Sequence, residues 1–462
     1  VLVPAIDGDW WQVAGDPDLG DYTDPRQQPV DFAVWQAADG TWQLWSCIRH
    51  TRCGGNTRLF YRWEGRNLTD TDWEPMGIAM EGDPQYGESI GGMQAPHVIR
   101  HDGFYYMLYG DWNYVCLARS RDGKTFQRVL DDEGRPQLFT ESTKGWQNTR
   151  DPMVLKIGDV FHCYYAAHRG MKGPVHCRTS RDLRLWSDSV QVFFDGPTAR
   201  SGRPGWAECP HVVFRHGWYY LIHTQAYGAG ALSTVYRSKD PMDFGRNDDR
   251  YRVGSLDTAT VEIFFHDGQE YVATLLPSLK GIQIARLKWV PRPPLPPRAA
   301  DGESRFDLDD PAVRAGWQLV DGKIDPLFTT STRHDFRPFY QHFIGTAEVG
   351  EGKLDDSQVG LIESPPFRLT TARHVLLLSG GSDRDEVYVA VVETGTGREL
   401  ARFTGAEHNT FRDVLFDAPE HVGKEVRLRV VDEATGSWGH VNFGGIFAIP
   451  DESDSAPGEE SS

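Results

Sequence analysis

Five times along the chain the same unit recurs: an alternating apolar strand, a tight turn at a glycine, and a second strand rich in aromatic residues. The segments read FAVWQAADGTWQLWS (32–46), HVIRHDGFYYMLYG (97–110), MVLKIGDVFHCYYAA (153–167), HVVFRHGWYYLIHT (211–224) and VEIFFHDGQEYVATL (261–275). Their turn glycines, Gly40, Gly103, Gly158, Gly217 and Gly268, fall about 50 to 65 residues apart. Period-two alternation broken by Asp-Gly or a similar pair signals a hairpin, because such turns match the twist of the strands they join. A third strand follows in each repeat, as in TRLFYRWEG (57–65) and STVYRSKDP (233–241), and a weaker fourth in several, as in VQVFF (190–194). Sheets this small cannot bury their own faces, so neighbouring repeats must supply the core. The pattern predicts an all-β chain whose residues 1–290 form a five-bladed β-propeller. A long sandwich with fortuitous hairpins would not keep this strand order five times.

The repeats end before PRPPLPPRAA (291–300), which reads as a stiff proline-rich linker. Beyond it VLLLSGG (375–381), EVYVAVVE (386–393), EVRLRVVDE (425–433) and HVNFGGIFAI (440–449) predict an antiparallel β-sandwich over 301–450. Residues 451–462 carry five acidic groups and no apolar run, the composition of a disordered tail.

Charge narrows the partners. Lys plus Arg number 48 against 66 Asp plus Glu, for a net charge of −18, which disfavours nucleic acid and anionic membranes. No apolar run is long enough to span a bilayer. The chain opens at Val1 with neither a basic nor an apolar leader, the expectation for a mature form. A secreted or periplasmic setting is slightly favoured over a cytoplasmic one, and nothing in the sequence sets an oligomeric state. The six cysteines (Cys47, Cys53, Cys116, Cys163, Cys177 and Cys209) form no CxxC pair, so a zinc site has no support. Cys163–Cys177 or Cys47–Cys53 could pair, or all six could be thiols. P-loop, dinucleotide and HExxH motifs are absent.

In a propeller the innermost strands start at the mouth of a central tunnel, so the turn glycine serves as a ruler. Nine residues before it stand Asp31, Gln94, Glu208 and, in the fifth repeat, Ala259; Asp151 stands seven before Gly158. Three blades are thus expected to present a carboxylate at one equivalent position. Carboxylates converging in a cleft push one pKa up while another stays ionised, the division of labour that glycoside hydrolysis needs.

NTRDPMV (148–154) and WAECPHVV (206–213) resemble the RDP and EC motifs of glycoside hydrolase family 32, the β-fructosidases, and residues 30–46 have the spacing of that family's first-blade strand. The resemblance implies a propeller followed by a sandwich. It implies Asp31 as nucleophile, Glu208 as general acid/base and Asp151 as stabiliser of an oxocarbenium-like transition state, with Arg150 and Cys209 lining the sugar pocket. Val-Asp-Phe-Ala-Val (30–34) departs from that family's Asn-Asp-Pro-Asn-Gly, and Ser46 stands where it has a glutamine. Gln94-Ala95-Pro96-His97 is more similar to the related family 43, whose arabinofuranosidases and xylosidases invert. The expectation is an exo-acting, retaining furanosidase on an oligo- or polysaccharide, with an inverting arabinofuranosidase or a non-catalytic carbohydrate-binding propeller as alternatives. No cofactor or metal is required; some related propellers hold a structural calcium, but no oxygen-ligand loop here supports one.

Gln94, His97, Trp112 and Trp206 complete the expected substrate-binding set. His97 and His211 share a repeat position that equally suits packing between blades. Trp112, Trp146 and Trp206 flank the mouth, where an indole stacks on a sugar or packs a blade seam. Asp122, Asp182 and Asp240 read as turn residues without chemistry. GSWGHVNFGGI (436–446) resembles a C-terminal module found beside such enzymes.

Overall fold

In the computed structural model, each glycine-turned hairpin is the inner half of a four-stranded antiparallel sheet. The structure describes all residues except 170–171, 195–204, 247–250, 293–296, 332–339, 351–352 and 451–462. Blade 1 is built from Gln28–Gln36, Trp42–Arg49, Leu59–Gly65 and Glu74–Met80. Blade 2 uses Gln94–His101, Phe104–Gly110 and Val115–Ser120, with Gln127–Arg128 and Gln137–Phe139 sharing its outer edge. Blades 3 and 4 run Gln147–Ile157, Val160–His168, Val175–Ser180, Val190–Phe193 and Glu208–Arg215, Trp218–Ala226, Leu232–Ser238, Arg252–Leu256.

Blade 5 differs. Its three consecutive strands, Glu262–His266, Gln269–Leu275 and Ile282–Pro291, take their outer partner from the other end of the domain, Leu2–Ala14. Leu2 lies opposite Pro291 and Ala14 opposite Ile282. The repeat pattern did not assign residues 2–14, because this strand carries no turn glycine of its own.

All five ruler glycines have left-handed φ, from 57° to 87°. In blades 2, 4 and 5 the preceding residue, Asp102, His216 or Asp267, is left-handed too, which is the two-residue type I′ hairpin. Seams between blades are filled by large side chains: Tyr109, Tyr164, Tyr165, Tyr220, Tyr236, Phe60 and Phe161 are wholly buried. Two seams also hold a buried clamp. Glu88 accepts from the Tyr109 hydroxyl (2.6 Å) and both Arg128 nitrogens (2.9 and 2.6 Å). Glu141 is held in the same way by Tyr165 (2.7 Å) and Arg178.

All six cysteines are free thiols. Cys163 lies opposite Arg178 and Cys177 opposite Tyr164, so adjacent register puts the two on opposite sheet faces and leaves no Cys163–Cys177 bridge. Cys47 instead lies 3.2 Å from the Met93 carbonyl and Cys53 near the Arg58 carbonyl. Asp122 and Asp182 each accept backbone amides two and three residues on, and Asp240 accepts that of Met242, so all three cap turns.

The second compact unit begins at Pro294. One antiparallel sheet orders Glu303–Ser304, Val441–Ile449, Arg373–Gly380 and His408–Asp417; the other orders Gln318–Lys323, Val359–Glu363, Glu425–Asp432, Val387–Glu393 and Glu399–Phe403. Leu376, Leu378, Phe443 and Ile446 of the first pack in one core with Val389, Val391, Leu428 and Val430 of the second. The proline-rich stretch is divided: Pro291 ends a blade strand, while Ala299 is buried in the sandwich beside Phe343 and Val375. Among the described residues no helix is long and apolar enough to cross a membrane.

Candidate active site

Each innermost strand bends as it enters the tunnel. In blades 1 to 4 the pairing slips at this point, between Val30 and Phe32, Gln94 and His97, Arg150 and Met153, and Glu208 and His211. The residue inside each slip has left-handed φ: Asp31 (30°), Ala95 (42°), Asp151 (56°) and Cys209 (49°), with Thr260 (58°) as the blade 5 counterpart. A non-glycine residue is strained there, and five in register mark a built feature that turns each side chain off the plane of its sheet. These five residues, with Pro96, Pro152, Pro210 and Glu262, line one small cavity.

The equivalence corrects the ruler. Asp31 and Asp151 do occupy one position, but its blade 4 member is Cys209, and Glu208 stands one residue earlier, level with Gln94 and Arg150. The glycine is the second of two turn residues in blades 2, 4 and 5, the first of two in blade 3, and the fourth of five in blade 1. The origin of the ruler therefore shifts with the turn.

The site nevertheless gathers all three carboxylates. The Cys209 thiol lies 3.1 Å from Asp31 Oδ1, and the Cys209 amide donates to Asp151 Oδ2 at 3.0 Å. Arg150 donates to Glu208 Oε1 at 2.8 Å and stands 3.6 Å from Asp151 Oδ2. Asp31 and Asp151 are buried, whereas a quarter of the Glu208 side chain is open to solvent. Gln94 lies next to Arg150: a β-carbon added to Gly110 would meet the β-carbons of both, at 3.2 and 3.6 Å. Its amide is wholly buried.

Burial pushes the Asp151 carboxyl up to about 7; Arg150 opposes the shift, and the Asp31 and Glu208 charges reinforce it. Burial would raise Glu208 as well, but the Arg150 charge and the hydrogen bonds from Tyr227 and Arg150 hold it below the usual range. Arg150, between two carboxylates, stays firmly cationic despite its burial. Near neutrality Asp151 is therefore poised to hold or release a proton, while Glu208 is kept ionised.

The sequence did not single out Tyr227, Thr260, His168 or Arg58. The Tyr227 hydroxyl is 3.4 Å from Cys209 Sγ and helps hold the Glu208 carboxyl down, and the Arg49 guanidinium sits 5.9 Å from its ring centre. His168 Nδ1 lies 3.4 Å from Arg150, and Thr260 Oγ1 3.7 Å from the Cys209 sulfur. Tyr227 follows a strand rather than opening one, so the repeat offered no signal for it.

The remaining expected residues spread outward. Trp112 (φ 85°) takes the Arg58 guanidinium 5.1 Å from its ring centre, and Arg58 in turn acts electrostatically on Glu208. Trp146 packs edge-on against His176. His97 is buried, is not among the residues lining the cavity, and interacts with Glu262 and His211. His211 Nε2 bridges the backbone of Ile263. The Trp206 side chain lies outside the described residues. Among the described residues no three His, Cys, Asp or Glu side chains are grouped to hold a metal ion.

Comparison with known proteins gives a consistent set. A "Xylosidase/arabinosidase" of Butyrivibrio fibrisolvens is 25% identical over 156 residues, 31% of this chain and 27% of its own length. The chain therefore spans about a quarter of that curated relative. Among solved structures, a thermostable family-43 glycoside hydrolase is 20% identical, covering 60% of this chain and 98% of its own, with a TM-score of 0.44. A Bombyx mori GH32 β-fructofuranosidase is 14% identical, covering 95% and 94%, with a TM-score of 0.45. The chain resembles the propeller glycoside hydrolases of families 43 and 32. No family model matches it.

Proposed function

We propose that the chain is a glycoside hydrolase acting on furanosides, with Asp31, Asp151 and Glu208 as its working carboxylates and an oligo- or polysaccharide as its substrate. The observation that carries this reading is the single cavity where Asp31 and Asp151 meet at Cys209, with Glu208 tied in through Arg150. A protein that only binds sugar has no use for three converging carboxylates, one of them held poised near neutrality.

In this reading Asp31 either attacks the anomeric carbon itself or takes a proton from the water that does, and Glu208 protonates the leaving oxygen. Asp151, protonated at rest, becomes a carboxylate once its proton has moved and then stabilises the oxocarbenium-like carbon electrostatically. For Glu208 to act as acid, the sugar has to loosen its bond to Arg150 so that the proton can pass to it. Arg150, Gln94 and Trp112 then orient the ring. The RDP and EC motifs favour a retaining, exo-acting fructofuranosidase. The Butyrivibrio relative favours the second reading, an inverting arabinofuranosidase type.

One experiment separates these. Aryl α-L-arabinofuranoside, aryl β-D-xyloside, sucrose and short fructans are offered, and the anomer released first is followed by NMR. Asp31→Asn and Glu208→Gln are expected to lower turnover of the active substrate by about 10²–10⁴-fold. Activity is also expected to fall as pH rises through about 7, where Asp151 loses its proton, and Asp151→Asn should abolish that limb. Unchanged turnover in Asp31→Asn and Glu208→Gln would remove the catalytic assignment.

A further inference from the structure

A second concave site lies wholly within the sandwich. It is a groove of about 430 Å³ between the turn Ser382–Glu386, the bend at Glu407 and the loop Ala434–Gly439. That volume falls in the range of small-molecule sites. Its wall holds three carboxylates (Asp383, Glu386 and Glu407), hydroxyls from Ser382, Thr435 and Ser437, and one aromatic, Trp438; no lysine, arginine or histidine lines it.

The backbone holds this wall in a demanding shape. Trp438 and Glu407 both have left-handed φ, 62° and 53°, which costs bulky residues of order 1 kcal/mol each. Tight packing around them keeps this conformation in place. A β-carbon on Gly381 would lie 2.1 Å from the Trp438 carbonyl, and one on Gly439 would lie 2.7 Å from the Gly436 carbonyl. The Gly381 amide bonds the His440 carbonyl and the Gly439 amide that of Gly436, both at 2.8 Å. The indole is only half-buried, tilted over the His440 ring 5.9 Å away. Across the groove the Ser382 hydroxyl donates to Glu407 Oε1 at 3.0 Å, joining two of its walls.

These groups select a ligand chemistry. Carboxylates and hydroxyls offer acceptors for many O–H donors, the indole offers a flat face for C–H groups, and three negative charges without a cation reject anions. We infer that the Trp438 groove is a binding site for a neutral saccharide, separate from the propeller cavity. The inference does not depend on hydrolysis: a propeller without activity would leave it standing.

The test uses the full chain carrying Glu208→Gln, so that no substrate is consumed. Its retardation is measured in native gels containing soluble arabinan, xylan or levan, alongside the same chain with Trp438→Ala, Trp438→Phe or Glu407→Gln. The expected result is retardation by at least one polysaccharide that weakens about tenfold or more with Trp438→Ala, returns in large part with Trp438→Phe, and weakens with Glu407→Gln. Residual retardation would mark the propeller cavity. Equal retardation of the parent and Trp438→Ala proteins would overturn the proposal, as would no retardation by any of the three. So would competition by choline but not by free oligosaccharide, which would assign the groove to a cation. A thermal midpoint for Trp438→Ala matching the parent's shows that the loss is one of binding.

Discussion

Tyr227 joins the active-site cluster through a single hydroxyl that acts on both Glu208 and Cys209. That hydroxyl helps keep Glu208 ionised and fixes the sulfur that contacts Asp31. Tyr227→Phe keeps the ring under Arg49 and deletes only these interactions, of which the one with the Glu208 carboxylate is worth about 1.5–3 kcal/mol. It is expected to lower kcat on an aryl furanoside by about tenfold or more with little change in KM. An unchanged kcat with a raised KM would place the hydroxyl on the substrate instead. Asp31, Asp151 and Glu208 were legible because each sits near the start of a repeated strand, and Arg150 through the resemblance of its motif. Tyr227 was not, because its position follows from how the loop between the second and third strands of blade 4 turns, and no periodicity records that. The glycine ruler also misplaced Glu208 by one residue, since turn length absorbs a residue that counting cannot see.

At the scale of elements, a similar contact solution appears at two seams: a carboxylate with no exposed surface, an arginine giving it two hydrogen bonds, and a tyrosine from the second strand of the blade. Removing one member strands the other charge in a dry environment, which is strongly destabilising, by about 3–5 kcal/mol. Glu141→Gln is expected to lower the unfolding free energy by an amount of that order, with Glu88→Gln similar, as read from urea denaturation. Glu141→Met combined with Arg178→Leu should recover much of the loss, because both charges then leave together. Neither clamp was legible in the sequence. Glu88 and Glu141 come from the irregular segments between blades, where strand periodicity gives no register. The hairpins were legible because alternation and left-handed glycines impose them locally, and Leu2–Ala14 escaped because its partner is set by ring closure.

For the molecule as a whole, buried ionisable groups set how stability follows pH. Burial depresses His176, His223 and His374 to about 4. Between about pH 4 and 6.5 the unfolded chain binds three protons that the folded chain refuses, so these groups add stability as pH rises and withdraw it on acidification. Asp151 and Asp432, both raised to about 7 chiefly by burial, act with the opposite sign, holding protons in the folded state that the unfolded state has released. Urea midpoints measured from pH 4 to 8 are expected to climb less steeply across pH 4–6.5 in His223→Gln, and to fall less towards pH 7 in Asp432→Asn. A slope unaltered by His223→Gln would mean that this ring is already charged in the folded protein.

The pairing of Leu2–Ala14 with Ile282–Pro291 also imposes an order of events. On the ribosome the first of these strands emerges with its hydrogen-bonding edge unmatched, and its partner is not made until almost 300 residues later. At about 5–20 residues per second that is a wait of tens of seconds. Blades 1 to 4 have all their strands before then, while the fifth can complete the ring only at the end. During that interval the waiting strand is an exposed template for another nascent chain, so the step most open to intermolecular error is the one that joins the domain's two ends.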